Sequence, residues 1–170
     1  MTSIADLLVP EIDRELAGTR RALERVPEGQ NGWKPHPKSM ELGYLAALVA
    51  TMPGWIVSMI DEEYLDLAAP GRYGTTGFSS TAELLAAFDR EAAAARAAVA
   101  AASDDHLLTT SWQLRRSGQV LLEQPRHQAV REGALNHLYH HRGQLTVYLR
   151  LNEKLVPSLY GPSADEPYPS

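Results

Sequence analysis

The sequence predicts an all-α domain carrying one small hairpin, and three observations predict it. Four stretches, at about residues 3–26, 39–61, 81–102 and 126–151, repeat apolar residues at the 3.6-residue period of helices packed on a core. Helix-opening residues precede them: Thr2 and Ser3 before the first, Ser39 before the second, and Ser80 with Glu83, a capping box, before the third. The remaining pattern alternates instead. Trp112 and Leu114, then Val120 and Leu122, flank Ser117-Gly118 and read as a hairpin or two extended arms inserted before the last helix.

In the first helix Ile12, Leu16, Thr19, Leu23 and Val26 keep the spacing, Pro10 is expected to kink or restart it, and Pro27-Glu28-Gly29 ends it. Trp33 in the following loop is placed to plug the end of the fold, and His36, flanked by prolines, reads as a surface residue. Leu42, Leu45, Leu48, Val49 and Met52 make the buried face of the second helix. Pro53 removes one backbone donor, which predicts a kink there rather than a stop, because Trp55, Ile56 and Met59 resume the period. Pro70 to Gly74 bridges to the third helix as a loop that would rim a pocket. The third helix runs through Leu84, Phe88, Ala92, Ala95 and Val99 and is rich in alanine, a strong helix former. His106 follows in an acidic loop and is expected to be exposed.

Four of the six histidines fall in the last helical stretch, at His127, His137, His140 and His141. Val130, Ala134, Leu138, Leu145 and Tyr148 form its apolar stripe, with His137 and His141 one turn apart within it, so both side chains face inward. Two neutral imidazoles at this spacing can ligate one zinc, nickel or iron ion; the plainer reading is a pair of core histidines satisfied by polar neighbours. His140 lies at the edge of the stripe, and Arg142, Thr146 and Arg150 are assigned to the solvent side. The proline-containing segment after Leu151 cannot be helical throughout and is pictured lying across the fold or reaching a second subunit.

The chain has 170 residues, 44% hydrophobic and 22% charged, enough for one domain with a sizeable core. Its formal charge of -5 gives no support to a nucleic-acid role. With no cysteine there is no disulfide, no thiolate metal site and no cysteine nucleophile, so any thiol chemistry would need a cofactor thiol. Met1 to Leu8 lacks the basic and apolar runs of a signal peptide, and the alanine-rich segment is too short to span a bilayer. The expectation is a cytoplasmic protein without a membrane partner.

The run NHLYHHRGQLTVYLRL, the later VPSLYGPSADE and the upstream WKPHPKSMELGYLAALVATMPGW together resemble the DinB-like (YfiT-type) family over most of the chain. The resemblance implies an up-down four-helix bundle, a homodimer and a divalent metal held by three histidines. Two of these form an HxxxH pair, matched here by His137 and His141. The third comes from a second-helix pattern LAxHVAxxPGW, and its position is Leu48 in LAALVATMPGW, which cannot ligate. The candidate pocket residues are Leu48, Met52, Trp55, Trp33, Tyr148 and Gln144. The implied cofactor is a divalent ion (zinc, nickel, iron or manganese), bound weakly or not at all because of Leu48.

Two functions follow. One is a metal-dependent transferase or hydrolase, using a thiol cofactor or activated water, as the resemblance implies. The other is a non-enzymatic, metal-free bundle that binds a small molecule or forms a dimer, with the two histidines hydrogen-bonded to each other, to water or to Tyr148.

Overall fold

A computed structural model describes residues 2–69 and 77–168. The loop expected at Pro70 to Gly74 lies outside the described residues. The chain is mostly helical, with a small three-stranded sheet among the described residues. The sheet corrects the all-α expectation.

Helix α1, Ile4–Leu23, starts with a complete capping box in which Ser3 and Asp6 exchange side-chain and backbone bonds. Asp104 adds a second cap to the Ile4 amide at 2.8 Å. Pro10 neither restarts nor breaks the helix. The proline removes a single backbone bond, and the buried face of Leu8, Ile12, Leu16 and Leu23 keeps the helix in place.

The second predicted helix is two. Helix α2, Leu42–Thr51, begins after Glu41 with no side-chain cap, so Ser39 does not open it. Pro53 occupies the first position of α3, Pro53–Asp61, where its missing N–H costs nothing, and the axis bends by 43° there. The start of α2 lies close on the loop before it. A Cβ on Gly43 would stand 3.1 Å from the Asn31 Cα, and the Gly43 amide donates to the Asn31 carbonyl at 2.9 Å.

Strand β1, Tyr64–Asp66, lies outside the hairpin that the sequence predicts. It pairs in parallel with β2, Ser111–Arg116, which pairs antiparallel with β3, Gln119–Pro125. Its neighbours are distant in sequence, and three residues carry no readable alternation. The hairpin tip has Ser117 and Gly118 at φ 50° and 78°, the left-handed pair that a two-residue turn requires. Asp66 holds the tip by accepting from both amides, at 2.9 and 2.8 Å.

Helix α4, Thr81–Ala101, is capped by Ser80, while Glu83 reaches back to Ser79 instead of completing the box. It packs against α1, α2 and α3. The acidic loop read at His106 is a short helix, α5, Asp104–Thr109. His106 is half-buried there and its Nε2 lies 2.9 Å from the Ile60 carbonyl at the end of α3. Capping thus overrides the polar composition.

The last helical stretch is continuous from Arg126 to Leu151 but not uniform. A turn, α6 (Arg126–Gln128), leads into a π-helical segment, Ala129–Asn136, and then α7, His137–Leu151. Gly133 admits the side chain of Met59 where a Cβ would lie 2.8 Å from its Cε. Arg126 is buried and donates to the carbonyls of Met59, Ile60 and Glu62, satisfying the open end of α3.

Candidate functional site

Helix α7 packs on α2 and α1 and carries the histidine pair. Contacts near its two ends fix its register. Near one end the Tyr148 hydroxyl donates to the Met40 carbonyl at 3.1 Å, and Trp33 meets the Tyr148 ring edge-on at 5.5 Å. Near the other end His137 meets Trp55 edge-on, with centroids 5.4 Å apart. The chain therefore runs from Met40 to Trp55 in the direction opposite to His137–Tyr148.

The two imidazoles converge. His137 Nε2 and His141 Nε2 are 2.9 Å apart, and His141 Nδ1 lies 2.8 Å from Gln144 Oε1. An amide oxygen only accepts, so His141 carries its proton on Nδ1 and turns the Nε2 lone pair toward His137. A neutral His137 carries one proton, so donating it from Nε2, which closes a chain His137–His141–Gln144, competes with the ring's bond to the Gly133 backbone. With His137 protonated on Nδ1 instead, both Nε2 lone pairs are free to accept a cation. Two nitrogens on one ion, each at about 2.0–2.1 Å, stand roughly 2.9–3.4 Å apart, so the spacing fits. The donor set of two neutral imidazoles suits zinc, nickel or iron.

Burial is uneven. His141 is 8% exposed, whereas His137 is exposed as a residue with only its ring sheltered by Trp55 and His141. Burial lowers the pKa of both. For His137 the neighbouring His141 and His140 add to the lowering, and a hydrogen bond with the Gly133 backbone opposes it. For His141 the bond to Gln144 opposes it and His140 adds to it. Near neutral pH both rings are therefore unprotonated, the state a metal ligand requires.

The other expected residues fall out differently. Leu48 is half-buried rather than fully buried, packed at the margin of the core. Met52 is completely buried and belongs to the core. Tyr148 bonds to Met40, not to the histidines. His140 is exposed, with its ring 4.9 Å from that of His141. Among the described residues no third His, Cys, Asp or Glu joins the pair. Open hollows among the described residues are lined elsewhere, such as those beside Glu63 and Asp66, between α3 and α4 at Val57 and Ala98, and beside Arg25 and Lys154.

Arg142 is the largest departure from the sequence reading. It is 2% exposed rather than solvated, and its guanidinium meets the Glu15 carboxylate at 2.7 Å, the Glu15 carbonyl at 2.8 Å and Thr19 Oγ1 at 3.1 Å. Tyr160 from the carboxy-terminal segment donates to the same carboxylate at 2.7 Å and contacts Arg142. Burial pushes the Glu15 carboxyl up, but its bonds from Tyr160 and Arg142 outweigh that and hold it below the usual value. The periodicity alone could have found this residue, since Arg142 falls between Leu138 and Leu145 on the stripe. Its charge argued the other way.

No family model and no curated protein sequence matches the chain. Solved structures do. A DinB-like protein from Bacillus cereus ATCC 10987 superposes with a TM-score of 0.70 at 20% identity, covering 94% of this chain and 99% of that one. A DinB-like protein of Bacillus subtilis, YjoA, gives 0.66 at 18% identity, over 89% and 96%. The chain has the fold of the DinB-like proteins, the family its sequence resembles.

Proposed function

We propose that this is a DinB-like protein, an up-down four-helix bundle in which His137 and His141 hold a divalent metal ion in an open, weak site. The observation that carries the reading is the convergence of the two Nε2 atoms, 2.9 Å apart, with the far nitrogen of His141 anchored by Gln144. A metal-ligating imidazole commonly donates its other N–H to a fixed acceptor, and Gln144 is that acceptor. A two-imidazole site leaves positions open, as catalytic metal sites do. The ion, when bound, supplies a Lewis acid able to acidify water or to hold a cofactor thiolate, which is the chemistry of a metal-dependent hydrolase or transferase. The protein's own part is to orient the two rings, keep them neutral, and present Trp55 as an aromatic wall beside His137. The homodimer and small-molecule ligand implied by the resemblance belong to the same proposal, and sedimentation at micromolar concentration tests the dimer.

A second reading is a metal-free bundle. It is favoured by Leu48 in place of a third histidine and by the closed His137–His141–Gln144 hydrogen-bond chain. Elemental analysis of tag-free protein after dialysis against zinc or nickel decides between them. One ion per chain, lost in the His137→Ala/His141→Ala double variant, supports the metal site. No retained metal leaves the second reading.

A further inference from the structure

We infer that the carboxy-terminal segment is a clasp that sets the aim of the histidine pair, with Tyr160 as a positioning residue acting through Arg142 and Glu15. The inference deepens the proposed metal site and rests on it for one arm of its test.

Arg142 follows His141 directly, so the two side chains leave α7 about 100° apart. Whatever fixes the roll of α7 at Arg142 also fixes the direction of His141. Apolar packing along Leu138, Leu145 and Leu149 buries this face but is non-directional and tolerates small rotations. The Arg142 guanidinium is directional: three bonds to Glu15 and Thr19 tie it to α1. The rings of Tyr139 and Tyr160 flank it, with centroids 5.3 and 5.2 Å from its Cζ. The Tyr160 hydroxyl then bonds both members of the ion pair.

Tyr160 is itself held in place. Arg21 of α1 and Arg25 in the turn after it grip Glu166, Arg150 of α7 grips Asp165, and the Ser158 amide donates to Glu166 at 2.9 Å. Leu159 lies on Gly18, where a Cβ would come within 3.2 Å of its Cδ2. The segment thus bridges α1 and α7 from outside while Tyr160 reaches the pair between them. Apolar replacement of a buried ion pair is often neutral for stability, and its best-attested use is to specify register. That is the role assigned here.

The test compares Tyr160→Phe, which keeps the ring and deletes the hydroxyl, with the double variant Glu15→Met/Arg142→Met, which keeps the volume and deletes the directional bonds. The first readout needs no metal: imidazole nitrogen NMR reports the exchange of the His141 Nδ1 proton held by Gln144. Exchange faster by about an order of magnitude in both variants, in protein that remains folded, is expected. The second readout is cobalt(II) titration, with affinity expected to fall about tenfold, as when an orienting partner is lost. Thermal midpoints are recorded alongside. Unchanged imidazole exchange in both folded variants, with only the midpoint moved, overturns the clasp. If the wild-type chain binds no cobalt, the metal reading falls, and the metal-free NMR comparison alone decides the clasp.

Discussion

His141 Nε2 faces His137 Nε2 across 2.9 Å, and the other ring nitrogen of His141 is engaged by Gln144. This arrangement can close on itself by one hydrogen bond or close on a cation by a tautomer change in His137. Leu48, at the position of the family pattern's third histidine, is where a further ligand would shift the balance.

Replacing Leu48 with histidine should raise nickel or zinc affinity by more than about tenfold, because a third imidazole completes a three-ligand set. Isothermal titration of the folded variant reads this directly. An affinity equal to wild type would mean that the α2 and α7 side chains do not converge. Leu48→Ala, at a half-buried position, should cost roughly 1–2 kcal/mol, less than the 2–5 of a fully buried leucine.

Stability should depend on pH through the pair. Both rings have folded-state pKa values below the ordinary 6.5, so the unfolded chain takes up protons first as the pH falls. Their contribution is complete above about pH 6.5 and is lost as the pH drops through the lower folded values. Glu15, also lowered, has the same sign and extends the loss further into acid. Urea midpoints should fall between pH 7 and 5 in the wild type and change less in His137→Gln/His141→Gln. Parallel curves for the two proteins would contradict the assignment.

Breaking the buried ion pair singly should be severe. Arg142→Met leaves Glu15 buried without its cation, at 4% exposure, and is expected to cost about 3–5 kcal/mol. The Glu15→Met/Arg142→Met double variant should recover most of that loss in denaturant titration. Equal destabilisation of single and double variants would show that the pair is not coupled.

Gly43→Ala should destabilise by about 1–3 kcal/mol, since the new Cβ meets the Asn31 backbone as well as its side chain and the Leu42 and Gly43 amides tie the start of α2 to that loop. A midpoint within experimental error of wild type would show that the loop before α2 yields.

Much of the helical pattern was legible because burial on one helical face leaves a 3.6-residue trace, and the Ser3 and Ser80 caps and the Ser117-Gly118 turn write their geometry in local residue choice. The histidine pair was legible for the same reason: i and i+4 on one helix are neighbours whatever the rest of the chain does. Strand β1 was not, because its partner in β2 lies far along the chain and three residues carry too short a pattern. The π-helical segment before His137 was not either, since the extra residue per turn there is accommodated by packing against α3, as at Gly133 and Met59.

By itself the sequence determined the mostly helical class, the positions of several helix starts, the adjacency of His137 and His141 (though only His141 is buried) and the leucine where the family pattern has a third. Only the tertiary structure decided that Arg142 is buried. A charged side chain enters a core when a partner from elsewhere neutralises it, and that partner, Glu15, comes from α1 with Tyr160 closing over both. Charge is a local property, but its compensation is a property of the fold.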